Sequence, residues 1–219
     1  MTIRFYNRTE AGQQLAAHLT EFKNRKDVLV LALPRGGVPV AFEIAKKLNL
    51  PLDVCLVRKL GVPDRRELAM GAIASGGVRI INYDVVNWLH LSPSIIEEVA
   101  QQEEQELQRR DRAYRGNKPF PKICDQTIIL VDDGIATGST IKAAIAILKQ
   151  QNPQKIIVAV PVAPPSVCRQ LELEVAQVVC LEMPESLNSI SLWYNDFSQT
   201  SDQEVCNLLA LASGVSLAN

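Results

Sequence analysis

The sequence predicts one α/β domain, a parallel sheet with flanking helices, and three observations carry that expectation. Short apolar runs alternate with amphipathic stretches of helical length, the pattern of strands joined by crossover helices. The first run, Val28-Leu29-Val30-Leu31-Ala32-Leu33, is apolar throughout and stops at Pro34 and Gly36-Gly37, as a strand covered on both faces does. The 219 residues, 47% hydrophobic and 21% charged, suit a single core, since cores grow to about 250 residues before splitting, and the chain is too apolar for disorder.

Taken in order, Val38 to Leu48 reads as the helix after the first strand, and Leu52 to Val57 as the second strand. Ile128 to Val131, Ile156 to Val160 and Val175 to Leu181 supply three more, with crossover helices at Ser139 to Lys149 and Pro165 to Leu173. Two regions break the alternation. Between Arg58 and Ile81, Gly61, Pro63, Gly71, Gly76 and Gly77 lie among charges, a composition that predicts a flexible loop over about 58–77 rather than a packed element. From Ser92 to Arg115, acids come first and bases last, which complements a helix dipole. A largely solvated helical insertion around 83–115 is expected there, with no functional reading of its charges.

Charge and cysteine content narrow the function. A formal net charge of −1 supplies no bulk field for nucleic acid or an anionic membrane. No apolar run approaches the roughly 18 residues of a membrane helix, and the polar start Met1-Thr2-Ile3-Arg4 has no signal-peptide core, so a cytoplasmic protein is expected. Cys55, Cys124, Cys168, Cys180 and Cys206 are widely spaced with no Cys-x-x-Cys pair and read as reduced core thiols. His18 and His90 match no motif and read as structural or surface residues.

The chemistry concentrates after the third strand. Ile128-Ile129-Leu130-Val131 runs into Asp132-Asp133, then Gly134, Ile135, Ala136, Thr137, Gly138, Ser139 and Thr140, where a helix begins. Ligands of parallel sheets bind beyond the carboxyl ends of strands, and a helix amino terminus offers unpaired N–H donors to an anion. Gly134 and Gly138 let the backbone approach closely, and the hydroxyls of Thr137, Ser139 and Thr140 add neutral donors. Two carboxylates beside a phosphate ask for hydroxyl donors or a hard cation such as Mg²⁺; a ribose 5-phosphate meets both demands. A merely capped βα turn with surface acids is the bland alternative, and a receiver-like domain lacks the Thr-Gly-Ser-Thr loop.

Four apolar residues, two acids and a small-residue loop ending Thr-Gly-x-Thr resemble the phosphoribosyl pyrophosphate motif of the type I phosphoribosyltransferases. The resemblance implies that Asp132 and Asp133 hold the ribose 2′- and 3′-hydroxyls while Ala136 to Thr140 wrap the 5′-phosphate. Asp132 and Asp133, acting through water, are the candidates for holding Mg²⁺. Pro34-Arg35-Gly36-Gly37 resembles the family's pyrophosphate loop, with Arg35 as its cation and Gly36 and Gly37 supplying backbone. Arg58-Lys59, at a strand end, resembles orotate and adenine phosphoribosyltransferases, whose flexible loop closes over pyrophosphate; a solvated basic turn is the plain alternative.

Further segments, Leu33 to Val40, Val57 to Gly61, Glu67 to Ile73, Tyr114-Arg115-Gly116 and Trp193-Tyr194-Asn195-Asp196-Phe197, extend the resemblance over nearly the whole chain, to a bacterial subgroup of phosphoribosyltransferases without an assigned substrate. The family's hood falls at about 182–200, which makes Tyr194 and Phe197 candidates for stacking on a base; equally, these aromatics could glue the carboxyl-terminal helix to the core. Ala136 stands where 6-oxopurine enzymes carry an Asp, which argues against hypoxanthine or guanine. The loop acid Glu67 is then the candidate general acid or base.

The implied activity is Mg²⁺-dependent transfer of ribose 5-phosphate from phosphoribosyl pyrophosphate to a nitrogen acceptor, a nucleobase above all, with pyrophosphate released. A ligand-sensing regulator on the same fold is the alternative, and fold alone does not separate the two. A sugar-phosphate hydrolase would want a base or metal cluster that the spacing does not offer. The expected partners are these small molecules, with a homodimer left open as the assembly.

Overall fold

The computed structural model describes residues 5–75, 77–116 and 118–214. In chain order its elements are α1 (Arg8–Ala17), β1 (Val28–Ala32), α2 (Gly37–Leu48), β2 (Leu52–Val54), β3 (Val57–Val62), β4 (Arg65–Ala74), β5 (Arg79–Ile81) and α3 (Tyr83–Trp88). There follow α4 (Pro93–Arg115), β6 (Thr127–Val131), α5 (Ser139–Lys149), β7 (Lys155–Val162), α6 (Pro165–Glu172), β8 (Gln177–Glu182) and α7 (Asp202–Ala212).

The five strands read from apolar runs pair as one parallel sheet in the order β2-β1-β6-β7-β8. Every residue of β1 and β6 is buried, because helices cover both faces and leave no strand face for water. One face, including Val30, Ile129 and Val131, packs against Val40, Ile44 and Leu48 of α2. The other, including Leu31, Leu130 and Val158, packs against Ile141, Ile145 and Leu148 of α5. Successive side chains of a strand point to opposite faces, so a fully apolar run feeds both cores at once.

The expected second strand, Leu52 to Val57, is divided. Pairing with β1 ends at Val54, Cys55 and Leu56 form a buried link, and Val57 opens a second sheet of order β3-β4-β5. Only Val54, Cys55 and Leu56 of the run are fully buried, where one sheet ends and the other begins.

That second sheet corrects the reading of residues 58–77 as an excursion without packed elements. Val57–Val62 and Arg65–Ala74 pair antiparallel across Pro63 and Asp64. Two of the glycines that suggested looseness have other uses, while Gly76 lies outside the described residues. A Cβ at Gly71 would lie 2.4 Å from the carbonyl oxygen of Ile80, so glycine here permits close strand approach. Gly61 sits at a register shift, the usual place of a bulge. Ala72 and Ala74 pack on Ile147 of α5, and Leu60, Met70 and Ile73 share a core with Ala100 and Leu107 of α4.

Helix α4 starts where expected, with the Ser92 hydroxyl accepting from Ile95 N and Pro93 in the first turn, a position that suits proline. It is more than a solvated helix: Ala100, Leu107, Tyr114 and Arg115 are buried. Arg115 donates to Asp53 at 2.8 Å, to Asp111 and to the carbonyl of Val54, tying the helix to the end of β2. Of the cysteines, Cys55 and Cys168 are buried, Cys180 and Cys206 half-buried and Cys124 exposed; all are free thiols, but the core assignment fails for Cys124. His18 and His90 are exposed at the ends of α1 and α3. Among the described residues no helix is long and apolar enough to cross a membrane.

Candidate active site

From β1 the chain steps outward to β2, and it returns to pair β6 on the other side of β1. The loops leaving β1 and β6 therefore diverge at the point where strand order reverses, the crevice in which open α/β sheets bind ligands. Ala32 and Val131 are paired in register, and Leu33 N donates to Val131 O at 2.8 Å. Residues 33–37 and 132–140 thus emerge side by side from one sheet edge.

Residues Asp132 to Ile141, together with Ile190, line a cleft of about 240 Å³. Gly138 holds φ +77° as the residue preceding α5, a left-handed conformation that glycine adopts freely. The amino end of α5 opens on this cleft, and the hydroxyls of Thr137 and Ser139 face each other at 3.0 Å. With Thr140, whose neighbours they are along the loop, they line the cleft. The floor is shaped by Ile135, whose N donates to Val162 O at 2.8 Å.

The neighbouring loop is packed directly against the acids. A Cβ at Gly36 would lie 1.9 Å from Oδ2 of Asp133, and one at Gly37 would lie 2.7 Å from the Val131 carbonyl and 2.9 Å from Cα of Asp132. A Cβ at Gly36 would displace the Asp133 carboxylate, and one at Gly37 would meet the backbone of the acidic loop itself. The two segments singled out in the sequence are parts of one structure.

The two carboxyls are held differently. Oδ1 of Asp132 accepts from Asp133 N at 2.9 Å, and burial, reinforced by the Asp133 carboxylate, pushes the Asp132 carboxyl well above the usual range. Asp133 instead meets Arg8 of α1, whose Nε lies 2.8 Å from Oδ2, with both side chains nearly buried at 11% and 14% exposure. Removing one member of a buried pair strands the other and typically costs ~3–5 kcal/mol. Arg8 also donates to Ser198 O at 2.8 Å and lies 3.9 Å from the Phe197 ring centroid.

Tyr194 and Phe197, the stacking candidates, are therefore occupied. Tyr194 is 4% exposed, its ring 5.5 Å from Phe5 and 4.9 Å from Phe197, and its hydroxyl donates to Asp133 O at 2.7 Å. These aromatics join the hood to the amino-terminal segment of Phe5 and Ala11 rather than to the carboxyl-terminal helix, and the phenol braces the backbone of the acidic loop.

Arg35 lies 3.7 Å from Asp202 at the start of α7, an acid that also accepts from the Tyr114 hydroxyl. Arg58 of β3 donates to Glu103 of α4 at 2.6 Å; it lines a crevice with Pro34 and Thr140, so it borders both the loop after β1 and the loop after β6. Lys59 is half-buried on the same strand. Glu67 lies on β4, and its side chain falls outside the described residues.

Three contributors escaped the sequence reading. Ile190 reaches the cleft from the hood, Asp202 pairs Arg35 from α7, and Arg8 pairs Asp133 across 125 positions. The helices carrying Arg8 and Asp202 each had a local signal: Asn7 accepts from Glu10 N at 3.0 Å and Ser201 from Glu204 N at 3.1 Å, N-caps readable in Asn-x-x-Glu and Ser-x-x-Glu.

Among the described residues no three of His, Cys, Asp and Glu converge to hold a metal. The hard oxygens of Asp132 and Asp133 nevertheless fit Mg²⁺, which keeps its waters and binds through one or two carboxylates plus substrate phosphates.

A family model described as "Phosphoribosyl transferase domain" matches residues 6–187. The Mycobacterium tuberculosis H37Rv protein named "Putative phosphoribosyl transferase Rv0571c" is 44% identical over 205 residues, 94% of this chain and 46% of its own length. The chain thus spans about half the length of the curated relatives it matches. The crystal structure of TT1426 from Thermus thermophilus superposes with a TM-score of 0.85 at 36% identity, covering 94% of this chain and 98% of that one. The Aquifex aeolicus protein AQ2163, at 11% identity and a TM-score of 0.53 over 92% and 84% of the two chains, shares the fold.

Proposed function

Since the chain belongs to the phosphoribosyl transferase domain family, we propose that it transfers ribose 5-phosphate from phosphoribosyl pyrophosphate to a nitrogen acceptor, a nucleobase above all. The observation that carries this reading is the interlocked pair of loops, Gly36-Gly37 against Asp132-Asp133, beside a cleft lined by Thr137, Ser139 and Thr140. A phosphate in that cleft would take backbone N–H groups at the start of α5 and the three hydroxyls. The ribose hydroxyls would donate to Asp132 and Asp133, and the diphosphate would lie toward the adjoining loop of Arg35, Gly36 and Gly37.

In the reaction the bond from ribose C1 to diphosphate breaks, its electron pair leaves with pyrophosphate, and the acceptor nitrogen forms the new bond to C1. Catalysis of this kind is positioning plus stabilisation of developing charge. Arg35, Arg58 and Lys59 supply cations for the leaving group, and Glu67 takes the proton lost by the acceptor. Mg²⁺, when bound, would neutralise charge on the diphosphate, held through water by Asp132 and Asp133. Since β3 and β4 are paired strands, closure over the ligand would move them as a hairpin rather than as a loose loop.

Calorimetry with phosphoribosyl pyrophosphate and a nucleoside 5′-monophosphate tests the placement. Thr137→Ala with Thr140→Ala should weaken both ligands together, and unchanged affinity would contradict it.

A further inference from the structure

We propose that Arg8 is a positioning residue of the sugar subsite, holding Asp133 in the one orientation that leaves its second oxygen for a ribose hydroxyl. The proposal rests on the reading that Asp132 and Asp133 receive the ribose.

The geometry around Arg8 is a built support rather than a surface ion pair. Its Nε lies 2.8 Å from Asp133 Oδ2, its Nη1 donates to Ser198 O at 2.8 Å, and its guanidinium lies 3.9 Å from the Phe197 centroid and 5.9 Å from that of Tyr194. The segment leading into its helix is stitched to the hood. Phe5 N donates to Trp193 O at 2.9 Å, and Asn195 N to Phe5 O at 2.8 Å. The Tyr194 hydroxyl then holds the carbonyl of the same Asp133. Backbone and carboxylate of one acid are fixed by two different segments, while its neighbour Asp132 is fixed by its own loop.

Two consequences follow. With Oδ2 committed to Arg8 and closed in by Gly36, Oδ1 is the oxygen left to accept a hydroxyl, and a carboxylate held in one rotamer loses no side-chain entropy when the sugar arrives. Arg8 also offsets the charge of Asp133, which lets the two neighbouring acids sit side by side with less mutual repulsion. The planar guanidinium suits both tasks, stacking on Phe197 while donating sideways to the acid.

The test compares ribose 5-phosphate with inorganic phosphate by calorimetry on wild type, Arg8→Gln, Arg8→Lys and Asp133→Asn. Arg8→Gln should weaken ribose 5-phosphate about tenfold and phosphate by less than about twofold, and Arg8→Lys should recover part of the loss. In an Asp133→Asn background, Arg8→Gln should add almost nothing, because the residue it positions is already gone. Equal losses for both ligands, additive losses in the double variant, or no loss at all would overturn the proposal. If Arg8→Gln does not fold, the ratio of the two affinities in Arg8→Lys decides the matter in the same way. Wild type binding ribose 5-phosphate no more tightly than phosphate would instead remove the ribose reading itself, and the proposal with it.

Discussion

Gly36 stands so close to Asp133 that a Cβ at position 36 would lie 1.9 Å from the Oδ2 atom of the carboxylate. The contact joins a turn after β1 to a distant loop after β6 and makes the geometry of one depend on the other. Gly36→Ala should push the Asp133 side chain off its position beside Arg8 or lift the turn. Overpacking of this kind costs ~1–3 kcal/mol. The expected outcome is a lower melting temperature together with at least about tenfold weaker nucleoside monophosphate binding. Wild-type affinity in Gly36→Ala would mean that the loops are not coupled through this contact.

Asp132→Asn should separate stability from binding. Burial and the Asp133 carboxylate raise the Asp132 carboxyl in the folded chain. The folded state therefore binds its proton more tightly than the unfolded state, and stability falls as pH rises from the ordinary carboxylate range through the raised value. Above that value the cost is fully present, and asparagine, which can still accept from Asp133 N, removes it. The variant should melt higher than wild type at neutral pH, by about 2–4 °C for each kcal/mol relieved, and the gain should shrink on acidification. Its affinity for ribose 5-phosphate should drop above the raised value, where the wild-type group is a carboxylate, and the loss should shrink on acidification. Thermal melts across pH check the first part and calorimetry the second.

How much of this was legible in the sequence divides by distance along the chain. The loop 131–140 could be read because strand, acids, glycines and hydroxyls follow one another and each residue type has a local reason to be there. The Arg8–Asp133 pair could not, since it spans 125 positions and no local pattern marks an arginine in the first turn of a helix for a distant acid. Gly61 and Gly71 misled because glycine serves both mobility and close backbone approach, and only the strand register distinguishes them. Tyr194 showed its aromatic character but not that Phe5 and Phe197 would take its faces.

Arg58 is tied to Glu103 at 2.6 Å, with both side chains about one-third exposed or less, so diphosphate has to compete for it. Glu103→Gln should free the guanidinium. Pairs at this exposure are worth ~0.2–1 kcal/mol, so affinity for phosphoribosyl pyrophosphate should rise by up to about fivefold. A nucleoside monophosphate, which has no diphosphate, should bind as before. A gain for both ligands, or for neither, would take Arg58 out of the diphosphate subsite.

Alanine at Arg58 and Lys59 together should spare nucleoside monophosphate binding while slowing transfer. Losing a preorganised donor to developing charge typically costs roughly 10²–10³ in rate. Single-turnover rates beside calorimetric affinities distinguish this from a sensor, in which the same variant would weaken phosphoribosyl pyrophosphate binding with no turnover to lose.

Pyrophosphate release is the most direct measurement of the central claim. Phosphoribosyl pyrophosphate and Mg²⁺ are incubated with the protein and a panel of nucleobases and other amines, and pyrophosphate is followed with time. Phosphoribosyl transfer predicts release that depends on one class of acceptor and is abolished by Asp132→Asn with Asp133→Asn. Tight binding of phosphoribosyl pyrophosphate with no pyrophosphate released by any acceptor would contradict it and leave a ligand sensor on this fold.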